Sequence, residues 1–113
     1  MIDTGASKSS TAGWGQYLVY KSYVDESASI DLSTAGTVKV QFGISSTSSV
    51  GSITVSTPVG TMEFYVVKAD IPFLLCLADL DSLRSYYNNL KDVVVTLSKV
   101  VLVTRQFGYP FIL

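Results

Sequence analysis

The sequence predicts a mainly β domain with one short helix. Polar and apolar residues alternate in three consecutive segments at the middle of the chain, which is the period of a half-buried strand. A single later stretch carries leucines at helical spacing. What remains is short apolar runs punctuated by Gly, Pro, Ser and Asn.

The elements follow in chain order. Residues 7–15 are small and polar and carry no periodic signal. Residues 17–24 read equally as a short helix or a strand, and Trp14, Tyr17, Tyr20 and Tyr23 read as core and interface aromatics. Residues 25–36 read as a loop pinned by Ile30 and Leu32. The first alternating segment, residues 37–42, turns Val38, Val40 and Phe42 one way. The second, 52–56, does so through Ile53 and Val55, and the third, 61–67, through Met62, Phe64 and Val66. Pro58, Val59 and Gly60 make the turn between the last two.

Glycines bracket a Ser/Thr run made of Gly43, Ile44, Ser45, Ser46, Thr47, Ser48, Ser49, Val50 and Gly51. It reads as a hairpin tip with mobile hinges or as a plain polar loop. After Pro72, the residues Leu74, Leu77, Leu80, Leu83 and Tyr87 predict a helix near residues 77–87. Asp79 and Asp81 would form its solvated start, Arg84 would sit toward its end, and Asn88–Asn89 would stop it. Two apolar strands follow at 93–97 and 100–103, joined at Ser98–Lys99, and an extended apolar tail closes the chain.

Composition narrows the chemistry. The chain of 113 residues is one domain, 1–113, with no internal linker. Lys+Arg 8 against Asp+Glu 9 gives a net charge of −1, which lacks the footprint of a nucleic-acid binder. There is no histidine, so Ser–His–Asp and Cys–His pairs and His-ligated metals are excluded. A single cysteine permits neither an intrachain disulfide nor a Cys-based zinc site, and it fits a reducing, intracellular setting. No apolar run approaches the length of a transmembrane helix, and no signal peptide is visible. No metal or cofactor is expected, which leaves carboxylate chemistry or none.

One carboxylate stands in a context that looks built. Met1 and Ile2 lead into Asp3, Thr4, Gly5 and Ala6. An apolar residue before this tetrapeptide describes a strand ending in a tight turn that exposes a carboxylate. Asp3 is the catalytic candidate. The Thr4 hydroxyl can brace the turn, Gly5 permits close backbone approach, and Ala6 keeps the floor small. The competing reading is an ordinary Asx-type turn.

Taken together, these residues resemble the aspartic protease segment of copia-type retrotransposon polyproteins, a retropepsin-like protease. The resemblance runs through residues 2–7, 38–43, 51–55, 57–60, 70–81 and 105–110, and is most specific at the start and in 73–81. It implies a closed, mostly antiparallel β-barrel in which each chain supplies one catalytic Asp and two chains build one site. The chain carries one such motif, so the implied enzyme is a homodimer cleaving a retroelement polyprotein, located in the cytoplasm or in retroelement particles. Residues 43–51 become the candidate flap, and Leu74, Leu75 and Cys76 the segment that crosses near the active site. Family members place strands before the catalytic turn that this chain does not show, and they carry Gly where Cys76 stands. Two further readings remain beside the protease: a non-catalytic remnant that serves as a structural or interaction module, and a peptide-binding β-module.

Overall fold

The computed structural model describes residues 1–3, 9–42 and 44–112, with Asp3 and Phe42 described by their backbone. Thr4, Gly5, Ala6 and Gly43 therefore lie outside the described residues. The chain runs β1 (Ile2–Asp3), β2 (Thr11–Gly13), α1 (Trp14–Tyr23), a 3-10 turn (Leu32–Thr34), β3 (Lys39–Phe42), β4 (Ser45–Ser48), β5 (Gly51–Thr57) and β6 (Gly60–Val67). It continues through β7 (Leu75–Cys76), α2 (Leu77–Ser82), β8 (Tyr86–Asn88), β9 (Val93–Val95), β10 (Val100–Gln106) and β11 (Tyr109–Ile112).

The β5–β6 hairpin is the backbone of the core. Its register pairs Ile53 with Phe64 and Val55 with Met62, so the alternating apolar residues of both strands share one buried face. The turn at Pro58 and Val59 closes on Gly60, whose φ of 133° no side-chain-bearing residue adopts readily. Thr57 Oγ1 braces that turn by donating to Gly60 O at 2.6 Å and accepting from Val59 N–H at 3.2 Å. β2 joins the other edge of β6 in parallel. Strands β11, β10, β9 and β8 form a second sheet in that order, all antiparallel. The sheets curl as a half-barrel around a core that includes Leu80, Val66 and Val94, each with no exposed surface.

Several expectations change. The helix near 77–87 ends at Ser82. Arg84 takes a left-handed conformation with φ 51° just beyond it, so it stands outside the helix and ends it. Residues 86–88 then pair with β9, so Asn88 is a strand residue rather than part of a helix stop. The leucine spacing overruns because a sheet edge captures the chain, and tertiary pairing outweighs local periodicity. Leu74 likewise bridges Thr11 rather than entering a helix.

The first third of the chain is more ordered than its sequence suggests. The ambiguous segment is a helix that starts at Trp14. Trp14, Tyr17 and Tyr20 recur every third residue and turn inward. Tyr17 is buried, Trp14 packs on it at 5.4 Å, and Tyr20 meets the edge of Phe73 at 6.0 Å. Tyr23 is exposed, so it is not a core residue. Of the expected loop pins, Ile30 packs on the core while Leu32 is exposed.

β2 carries no hydrophobic signal because its residues are Thr, Ala and Gly, yet all three are buried. Gly13 is required there. A Cβ would lie 2.4 Å from Ile71 O and 2.5 Å from Ala69 O, both backbone atoms.

Candidate active site

The strand that leads to Asp3 is placed by the segment after residue 72. β1 runs parallel to β7, with Ile2 opposite Leu75 and Asp3 opposite Cys76. Leu75 N–H donates to Met1 O at 2.7 Å. On its other side the same segment is held by Thr11: Thr11 N–H donates to Leu74 O at 3.0 Å and Leu74 N–H donates to Thr11 O at 2.7 Å. Residues 74–76 therefore thread between the strand entering residues 4–8 and the strand leaving them. Two segments that the sequence singles out, far apart along the chain, are hydrogen-bonded neighbours.

Cys76 is fully buried and free. It fills its site as a small residue, and its thiol lies 3.6 Å from Ser10 Oγ. Leu75 turns toward an apolar pocket of about 240 Å³, lined in part by Val55, Met62, Phe64, Phe73 and Ile112.

Sequence reasoning misses Ser10 and misreads Asp79. Asp79 is not a solvated helix start. Its Oδ2 accepts Ser10 Oγ–H at 2.5 Å and Ser10 N–H at 3.2 Å. Ser10 is itself fully buried, and its Oγ also accepts Cys76 N–H at 3.0 Å. Its carbonyl takes Tyr65 N–H at 3.0 Å. Burial pushes the Tyr65 phenol above its ordinary pKa, and the nearby Glu63 and Asp79 carboxylates add to that. A serine in a run of small polar residues carries no signal by itself. Asp79, two positions before an exposed Asp81, offers none either.

Gly43 lies outside the described residues, and the other eight residues of the flap candidate are distributed over three structures. Ile44 lies at the tip of a β3–β4 hairpin and is fully exposed. Ser45, Ser46, Thr47 and Ser48 form the second arm, each paired with a residue of β3. Ser49, Val50 and Gly51 form the root. Ser49 is buried, exchanges backbone hydrogen bonds with Val38 and Gly36, and accepts Val38 N–H on its side chain at 3.1 Å. Gly51 begins β5 where a Cβ would lie 2.6 Å from Ile30 Cγ1 and 2.7 Å from Asp31 O. Close packing, not hinge freedom, explains that glycine. The projecting hairpin is thus residues 39–48, offset from the glycine-bracketed run.

No group of three metal-ligating side chains occurs among the described residues. No helix among them is long and apolar enough to cross a membrane.

Against solved structures, the chain is similar to the retroviral protease-like domain of Ddi1 from Leishmania major. The superposition has a TM-score of 0.61 and covers 90% of this chain and 80% of that one, at 14% sequence identity. The chain has the retropepsin-like fold. No family profile matches it, and no curated protein sequence matches it significantly. The retropepsin-like fold thus rests on architecture. Sequence identity this low carries neither residue roles nor substrate.

Proposed function

We propose that the chain is an aspartic endopeptidase of the copia-type retroelement class, active as a homodimer with one Asp3 from each copy. The observation that carries the reading is the parallel pairing of Asp3 with Cys76 inside a retropepsin-like fold. It supports the reading because the backbone of the one motif-borne Asp ends a short strand paired with the buried segment Leu75–Cys76.

The chemistry follows from the pair. Two carboxylates a few ångströms apart do not both ionise easily, so they share a proton and titrate as a unit, the behaviour for which aspartic protease dyads are the general example. The ionised partner takes a proton from water as the water attacks the scissile carbonyl. The protonated partner polarises that carbonyl, and the leaving nitrogen is then protonated. The substrate is a polypeptide, the polyprotein that carries the domain. It would lie extended beneath the β3–β4 hairpin, held by main-chain hydrogen bonds.

The test pairs activity with assembly. Wild type should cleave an unstructured polypeptide with an acidic optimum and be blocked by a statine-type mimic. Asp3→Asn should abolish cleavage while leaving the thermal transition in place. Cleavage that survives in Asp3→Asn would sink the assignment. A well-folded wild type that stays monomeric, ignores the mimic and cleaves nothing would favour the structural remnant instead.

A further inference from the structure

Each retropepsin-like site must hold its carboxylate in register with that of a second copy, so the segment carrying Asp3 needs anchors at both ends. The entry anchor is the β1–β7 pairing. The exit anchor is Ser10. We propose that Ser10 and Asp79 are positioning residues for Asp3: they clamp the chain leaving residues 4–8 onto the same residue, Cys76, that pairs with Asp3. This inference rests on the protease reading above.

The proton accounting supports a clamp rather than a casual contact. Ser10 Oγ has one proton to give. The Asp79 carboxylate at 2.5 Å is the stronger acceptor, and the Cys76 thiol at 3.6 Å is the weaker. With that proton committed to Asp79, the Oγ lone pairs are free to take Cys76 N–H at 3.0 Å. Ser10 N–H also goes to Asp79, and Ser10 C=O takes Tyr65 N–H. Every polar group of a fully buried serine is therefore engaged, by partners on β6, β7 and α2. Asp79 lies 69 positions from Ser10, so the clamp exists only in the folded chain.

The consequence is geometric. Asp3 is opposite Cys76 in the strand register, and the Cys76 amide is bonded to Ser10. Both ends of the segment bearing the catalytic carboxylate are thus referred to one buried residue. Loss of the clamp should shift the carboxylate without unfolding the barrel. A misplacement of about 1 Å can cost on the order of 100-fold in rate. Asp79 acts through Ser10 and Cys76, so its effect should fall on kcat.

The experiment compares the full-length wild type with Asp79→Ala, Asp79→Asn, Ser10→Ala and the Ser10→Ala/Asp79→Ala double variant. Steady-state cleavage of one peptide substrate is measured beside thermal melts. Asp79→Ala should lower kcat about 10–100-fold with KM nearly unchanged. Asp79→Asn retains an acceptor for the Ser10 hydroxyl and should recover most of kcat. The double variant should be little worse than either single variant, because both remove one interaction. If Asp79→Ala does not fold, Asp79→Glu keeps the charge, moves the acceptor by one methylene, and should show the same kcat loss.

A second readout is independent of catalysis. Alkylation of Cys76 by a small thiol reagent should be at least about 10-fold faster in Ser10→Ala than in wild type, at matched global stability. Unchanged kcat in folded Asp79→Ala, an effect confined to KM, or an Asp79→Asn as impaired as Asp79→Ala would overturn the proposal. If wild type cleaves nothing, the protease reading fails by itself. The alkylation rates then decide the clamp: equal rates reject it, and a faster Ser10→Ala retains it as an anchor of this segment.

Discussion

Asp92 shows how a single side chain organises the C-terminal half. Its Oδ1 accepts the Tyr87 hydroxyl at 2.9 Å and Arg105 Nε at 2.8 Å, and the Arg105 guanidinium lies 5.8 Å from the Tyr87 ring centre. Arg105 also donates to Gly108 O at 3.0 Å, so the cluster ties the β8–β9 turn to the β10–β11 hairpin. The Arg105 hydrogen bond first, and then the Tyr87 hydroxyl, hold the Asp92 carboxyl below its ordinary value of 3.8. A depressed folded-state pKa stabilises the fold at pH above 3.8, and that contribution is lost as pH falls through the folded value. Asp92→Asn should therefore flatten the part of the acid-unfolding profile below about pH 4, as read by urea midpoints at stepped pH. The effect should be modest and salt-sensitive, because both partners are substantially exposed. An acid profile identical to wild type would mean that the cluster does not persist in solution.

Elements are set by alternation where a sheet has one wet face and by close approach where it has none. β10 illustrates the first. Val101 and Val103 are buried while Val100, 60% exposed, and Leu102, 78% exposed, face solvent. Leu102→Ser should change stability by less than about 0.5 kcal/mol, whereas Val101→Ala should cost about 2 kcal/mol. Equal losses in chemical denaturation would mean that the register is shifted by one residue. β2 illustrates the second. Gly13→Ala would drive a methyl into the backbone carbonyls of Ala69 and Ile71, at a cost of about 1–3 kcal/mol. A Gly13→Ala variant with an unchanged urea midpoint would show that this crossing is looser than the structure has it.

At the scale of the molecule, the fold brings two stretches that the sequence singles out and one that carries no sequence signal to one place. β1, the segment around Ser10 and Thr11, and residues 74–76 meet through backbone pairing. If that junction serves a shared dyad, sedimentation should show a dimer that a statine-type mimic tightens, with Asp3→Asn dimerising much as wild type does. Indifference of the sedimentation profile to the mimic would separate assembly from catalysis and count against the shared site. The outer faces of β8 and β10 leave Tyr86, Val100 and Leu102 exposed, so sedimentation over a concentration series is needed to distinguish a site-building dimer from association through that apolar surface.

Local pattern alone determined the β5–β6 hairpin, its turn at Pro58–Gly60 and the β9–β10 pair, and it picked out Asp3 as the carboxylate to test. Those features are short-range: alternation, a turn residue and a motif all lie within a few neighbours. Tertiary structure decided the rest. It cut the predicted helix at Ser82 because β9 offers residues 86–88 a partner. It made a strand of Thr11–Gly13, whose small side chains carry no hydrophobic signal but let three backbones pack together. It also turned Asp79 from a surface charge into the acceptor that holds Ser10. A hydrogen bond between residues so distant in sequence leaves no periodic trace, because its partners are chosen by the packing of the whole chain.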